Sequence, residues 1–135
     1  MMDKKIVEVK TLKPGKYVLI EDIPCRISGM THSKPGKHGG ARVRIDGTGI
    51  FDGQKKSMIL PASDKADVPI VKKSSAQVLT IIGETIQMMD MESYETFDMP
   101  MPKEDDIKAL VKEGSDLMYM QIGAQRKITQ AKGGD

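Results

Sequence analysis

Cys25-Arg26-Ile27-Ser28-Gly29-Met30-Thr31 and Ala41-Arg42-Val43-Arg44-Ile45, joined through His32 and Ser33-Lys34-Pro35-Gly36-Lys37-His38-Gly39-Gly40, decide how this chain is read. The first flank is strand-like and the second alternates strictly between polar and apolar residues. The segment between them is made of turn formers. Pro35 fixes its own φ and pushes Lys34 toward an extended conformation, and Gly36, Gly39 and Gly40 supply the freedom a reversal needs. The whole reads as a long β-hairpin with a basic tip and Lys37 near its apex.

The charge on this hairpin has one sign. From Ile23 to Ile45 there is no Asp or Glu, against Arg26, Lys34, Lys37, Arg42 and Arg44, with His32 and His38 able to add charge. Such a segment suits an anionic partner. The chain carries its own control, because Lys-Pro-Gly-Lys occurs at 13–16 as well as 34–37. The first copy only introduces the strand Tyr17-Val18-Leu19-Ile20.

Working outward, Ile6-Val7-Glu8-Val9 reads as a short strand turned by Lys13–Lys16 into Tyr17–Ile20, which ends at Glu21-Asp22. The return arm of the hairpin runs through Asp46-Gly47-Thr48-Gly49 to Ile50-Phe51, and its glycines suggest a bulge or bend. Asp52-Gly53 is a two-residue hairpin signal leading into Gln54–Leu60. Closely spaced short strands without helical periodicity before residue 70 indicate a small all-β barrel. Pro61–Asp67 reads as a polar turn and Val68-Pro69-Ile70-Val71 as an extended bridge, so the domains are expected to be 1–71 and 72–135.

In the second half, Ala76–Ile82, Thr85–Met91 and Glu92–Phe97 read as strands, and Lys103–Glu113 as a helix with Glu104, Asp105 and Asp106 in its first turn and Ile107, Leu110 and Val111 on one face. Asp116–Ile122 and Gln125–Thr129 add two strands. Three strands, a helix and two strands is the order of an OB-fold. The class is therefore mostly β, with one short helix.

Composition narrows what the chain can do. There is no Trp, and two Phe, three Tyr and eleven Met are available to fill two modest cores. Residues 1–71 carry 13 Lys and Arg against 8 Asp and Glu, net +5, whereas residues 72–135 carry 8 against 11, net −3. Attraction to phosphate is expected from the first half. Tyr94, Phe97 and Tyr119 are expected to serve core packing rather than base stacking. One cysteine, Cys25, excludes an internal disulfide framework and fits a reducing compartment. The N-terminus lacks a secretory pattern, and no apolar run reaches the ~20 residues of a spanning helix, so a cytoplasmic protein away from membranes is expected.

Catalytic readings find little support. Gly29–Lys37 is no phosphate loop, since six residues rather than four separate Gly29 from Gly36 and His38 stands where Ser or Thr should. Two histidines and one cysteine without ligand spacing argue against a metal, and Glu104, Asp105 and Asp106 are contiguous rather than paired across a cleft. No catalytic residue, metal or cofactor is expected. Lys37 at a Gly-rich tip is poorly placed to lose its proton as a Schiff-base amine and is better suited to being a substrate.

Ser33-Lys34-Pro35-Gly36-Lys37-His38-Gly39, followed by Ala41-Arg42-Val43, resembles the modification loop of the hypusine-containing translation factor 5A family, and the likeness extends over nearly the whole chain. Position 40 is Gly where eukaryotic members commonly carry a second histidine, which suggests an archaeal-type member. The resemblance implies an SH3-like barrel followed by an OB-fold, with the loop at 33–41. It implies that a deoxyhypusine synthase uses spermidine to modify Lys37, with Lys34, Pro35, Gly36, His38 and Gly39 forming the loop that is bound. It further implies a non-enzymatic, monomeric factor that places the modified side chain against peptidyl-tRNA on the ribosome, with Arg26, Arg42 and Arg44 as candidate RNA contacts. The rival reading is an unmodified general RNA-binding or RNA-chaperone module.

Overall fold

The computed structural model describes residues 3–34 and 40–132, which form two compact units, Met1–Ile70 and Val71–Asp135. In the first unit, an SH3-like barrel, β2 (Tyr17–Ile20), β3 (Ile23–Ser33), β4 (Arg42–Gly49) and β5 (Lys55–Pro61) form an antiparallel sheet in that order. β1 (Lys4–Glu8) and β6 (Lys65–Pro69) form a separate two-stranded ribbon. The core takes alternate residues from these strands, among them Val18, Ile20, Cys25, Ile27, Val43, Ile45, Ala66 and Val68.

Two sequence expectations are corrected here. β1 pairs with β6, not with the strand after it, and a 3-10 turn at Val9–Thr11 leads the chain away from the ribbon. The stretch expected to be a polar turn and bridge contains β6, whose Ala66 and Val68 are buried by period-two alternation. Pro69 ends β6 opposite Lys4; the Ile70 N–H donates to the Asp3 carbonyl just beyond, so Pro69 occupies a position where no ladder donor is needed.

The second unit is an OB-fold. Its sheet runs β11-β10-β7-β8-β9, from β7 (Lys72–Ile82), β8 (Thr85–Asp90), β9 (Thr96–Pro100), β10 (Asp116–Ile122) and β11 (Gln125–Ala131). The expected helix is reduced to the single turn α1 (Asp105–Lys108); bonds of 3-10 type, Leu110 N–H to Ile107 and Val111 N–H to Lys108, follow it. Val111 is nonetheless buried in the core, with Ile107 and Leu110 packed against it. The third strand begins at Thr96 rather than Glu92, because Met91–Glu95 form a loop.

Loop chemistry follows the turn types. Gly83-Glu84 and Gly123-Ala124 connect their strands with Gly at positive φ, +60° at both. Glu21-Asp22 closes β2–β3 as a two-residue turn with both residues at positive φ, 53° and 64°. Asp52-Gly53 is not a two-residue connection as expected. It lies in the five-residue loop 50–54, where Gly49 N–H donates to Gln54 O and Gly53 N–H to Gly49 O. A Cβ on Gly49 would overlap Asp52 Oδ1, whose carboxylate also accepts from Gln54 N–H at 2.9 Å.

The second core contains a buried polar pair. Tyr119 and Asp90 are both about 2% exposed, and the Tyr119 hydroxyl donates to Asp90 Oδ2 at 2.5 Å. Asp90 Oδ1 accepts from the Glu92 and Ser93 N–H groups at 2.8 and 2.9 Å. Burial alone would raise the Asp90 pKa, but these hydrogen bonds outweigh it and hold the carboxyl well below the usual range. Burial first, and then the bond to Asp90, push Tyr119 up to about 12.

The signs fix a pH dependence. Asp90, with its folded pKa depressed, stabilises the unit above its unfolded value near 4, and this is lost as pH falls below that. Tyr119 stabilises below its unfolded value near 10, and this is lost as pH rises toward about 12. Tyr119→Phe should cost about 1.5–3 kcal/mol at neutral pH, the range for a bond to a charged group. Denaturant titrations against pH should show that variant losing stability at a higher pH on the acid side and lacking the alkaline loss.

Candidate nucleic-acid interface

The β3–β4 hairpin is held in register from Cys25↔Gly49 to Ser33↔Arg42, so its paired arms reach the loop at 34–41. Lys34 is exposed; Pro35, Gly36, Lys37, His38 and Gly39 lie outside the described residues. The bulge expected from the glycines of the return arm is on the other strand. Between Ile27↔Gly47 and Gly29↔Asp46, β3 carries the additional residue Ser28, whose hydroxyl donates to the Asp46 carbonyl at 3.1 Å.

That one residue sets the faces. Cross-strand partners share a face, so Arg26, Gly29, Thr31 and Ser33 of β3 stand with Thr48, Asp46, Arg44 and Arg42 of β4. Val43 and Ile45 are buried on the opposite face, 1% and 0% exposed, beside Met30. His32 pairs with Val43 and so lies on the other side from the arginines. β5 extends the outer face with Lys55, Ser57, Ile59 and Pro61, and β2 adds Tyr17 opposite Arg26.

The structure thus brings all three sequence-selected arginines onto one face, Arg42 and Arg44 near the tip and Arg26 toward the base. They are not equivalent. Arg44 Nε donates to Asp46 Oδ1 at 3.0 Å, with both side chains partly exposed, whereas Arg26 and Arg42 make no ion pair with any described residue. Asp46 lies one residue past the acid-free stretch, on the same face by strand parity. Thr31 and Ser33 could not be assigned to this face from the sequence, because the face of each β3 residue beyond Ile27 depends on the bulge.

The OB-fold presents a different surface. On the side of β7–β8–β9 away from the core, the cross-strand rows are Gln77, Met89 and Thr96, then Thr80, Gln87 and Asp98, then Ile82, Thr85 and Pro100. These rows contain neither a cation nor an aromatic ring. Phe97 packs on the core, 5.1 Å from the Tyr119 ring and with Arg126 stacked 4.2 Å above it. The rings of Phe97 and Tyr119 are thereby occupied, while Tyr94 is 70% exposed.

Cys25 is buried, and burial, followed by the charge of Asp52, raises its pKa, so it is a thiol at neutral pH. Among the described residues, no three His, Cys, Asp or Glu side chains gather as a metal site, and no helix is long and apolar enough to cross a membrane.

Fold and site define a two-module β protein, an SH3-like barrel with a basic hairpin followed by an OB-fold. Residues 4–64 match the family model described as translation initiation factor 5A-like, N-terminal, and residues 70–132 that described as eukaryotic elongation factor 5A hypusine, DNA-binding OB fold. The chain is 46% identical over 132 residues to translation initiation factor 5A of Methanothermobacter thermautotrophicus, covering 98% of this chain and 100% of the relative. It is 47% identical to the Pyrococcus horikoshii factor, with 98% of each chain covered. The solved eukaryotic translation initiation factor 5A from Methanococcus jannaschii superposes with a TM-score of 0.85 at 41% identity, over 95% of this chain and 94% of that one. The chain belongs to the translation factor 5A family.

The arginine geometry predicts unequal contributions to binding a single-stranded RNA. Arg42→Ala should reduce the slope of log Kd against log salt by about 0.7, the share of one phosphate contact. Arg44→Ala should reduce it by less, and Asp46→Asn should tighten binding by freeing Arg44. Filter binding over a salt series measures all three.

Proposed function

We propose that this chain is a ribosome-bound translation factor whose Lys37 is converted to deoxyhypusine or hypusine and which promotes peptide-bond formation and relieves stalling. A deoxyhypusine synthase would transfer the aminobutyl group of spermidine to Lys37 Nζ, the new C–N bond forming as the aminobutyl C–N bond of spermidine breaks and 1,3-diaminopropane leaves, with Gly36 and Gly39 allowing close approach and Lys34, Pro35 and His38 completing the recognised loop. The factor would work as a monomer in the cytoplasm. The observation that carries this reading is the full-length family match together with arms that present cations on one face beside the loop holding Lys37.

The mechanism follows from reach and charge. Lysine offers one ammonium on a four-carbon stem. The extended side chain carries two amines on a longer arm and can meet two oxygens of an RNA cleft at once. Arg26, Arg42 and Arg44 would engage phosphates and fix orientation without reading sequence. Holding the acceptor end of peptidyl-tRNA in a reactive position accelerates the step by positioning, and the ribosome remains the catalyst.

Peptide mass spectrometry of protein isolated from its own cells should show a spermidine-derived increment on Lys37. In reconstituted translation of a proline-rich message, Lys37→Arg keeps the charge but cannot take the extension. It should lower the rate by about tenfold or more, ~1.4 kcal/mol or more of lost positioning, while still sedimenting with ribosomes. Full activity from an unmodified Lys37 would instead establish the plain RNA-binding module.

A further inference from the structure

Two hairpin loops of this chain share one backbone pattern. In the first, Gly49 N–H donates to Gln54 O and Gly53 N–H to Gly49 O. In the second, Asp90 N–H donates to Glu95 O and Tyr94 N–H to Asp90 O. The fourth loop residue has φ +69° in one case and +61° in the other. The first loop places glycine there and the second places tyrosine.

Tyrosine is poorly suited to that backbone conformation. Left-handed backbone is costly for a bulky residue, and among the described residues only Glu21 and Asp22 join Tyr94 as non-glycine examples. The ring gains no burial in return, being 70% exposed, while Phe97 and Tyr119 are packed within the unit. The loop is nonetheless firmly held, through the Asp90 carboxylate and a bond from Met91 N–H to Ser75 O at 2.9 Å. An exposed aromatic ring on a loop pinned by these hydrogen bonds has the arrangement of an interface anchor.

The surroundings select the partner. Glu92 and Glu95 lie within two positions of Tyr94 in the same tight loop, are exposed, and make no ion pair with any described residue. They repel phosphate and attract cations, and a tyrosine face attracts a guanidinium or ammonium. We propose that Tyr94, with Glu92 and Glu95, docks an arginine- or lysine-bearing segment of a protein partner, separately from the basic hairpin and independently of the state of Lys37.

The experiment follows the Tyr94 ring by NMR in the full chain, titrated with a short Arg-Gly repeat peptide and, separately, a short oligouridylate. The peptide should move the Tyr94 resonances and the oligouridylate should not. Tyr94→Gly should leave the melting temperature unchanged or raised, since glycine suits this backbone, and should weaken peptide binding about tenfold, or ~1.4 kcal/mol. The Glu92→Gln, Glu95→Gln double variant should weaken it comparably. A lowered melting temperature in Tyr94→Gly would make the ring a structural residue and overturn the proposal. So would peptide binding indifferent to these changes, no peptide effect at Tyr94, or a response to oligouridylate alone.

Discussion

The pairing of β3 with β4 depends on one extra residue. Without Ser28, every β3 side chain beyond Ile27 would stand on the other face, because side chains alternate with period two. Met30 would leave the face it shares with Ile45, and Thr31 and Ser33 would leave the row of Arg44 and Arg42. The bulge therefore reconciles two requirements: a core at the base of the hairpin and a polar, cationic face toward its tip. Gly47, opposite Ile27, belongs to the same solution, since a Cβ there would approach Arg26 O, the Cys25 side chain and Ile20 at 3.1–3.2 Å.

The second unit meets a shortage of aromatic residues differently. Its core relies on aliphatic residues, Met88 and Met99, with Tyr119 the largest buried side chain. Burying that hydroxyl would be costly unless it were bonded, and the carboxylate of Asp90 bonds it while also fixing the following loop. Packing and loop geometry are thus coupled through one carboxylate, reinforced by Lys72 Nζ at 3.8 Å. The charge division of the sequence has a structural counterpart, since the barrel exposes its arginines whereas the outer β7–β8–β9 rows of the OB-fold expose none.

Much of this was legible where local pattern and tertiary demand agree. Tyr17–Ile20 and Asp116–Ile122 match their strands at both ends, and the hairpin, the two-residue turn at Gly83 and the OB order follow from alternation and glycine placement. The family was legible from Ser33–Val43. What escaped notice depends on distant partners. β6 looks like a polar linker because Lys65 and Asp67 alternate with only Ala66 and Val68, and its pairing with β1 spans most of the unit. Helical charge and periodicity after Pro102 suggested eleven residues, yet only Asp105–Lys108 form α-helix and the turns after it are of 3-10 type, with Gly114 N–H bonded to Val78 O across the unit. Arg44 and Asp46 share a face by alternation, but that Nε and Oδ1 meet at 3.0 Å is a matter of side-chain conformation.

Disagreement between local preference and observed backbone is itself informative. Gly15, Gly53, Gly83, Gly114 and Gly123 occupy positive φ, the region that favours glycine, which makes the non-glycine cases distinguishable by their surroundings. Asp22 is a short polar residue that tolerates left-handed backbone, and with Glu21 it closes a turn whose twist suits the flanking strands. Tyr94 has no such local justification, and the loop at 50–54 shows that glycine satisfies the same hydrogen bonds. Natural sequences keep local and global preferences consistent except where another requirement intervenes. For Glu21-Asp22 the turn itself supplies that requirement; for Tyr94, an exposed ring beside Glu92 and Glu95, neither of which makes an ion pair with a described residue, the proposed cationic partner supplies it.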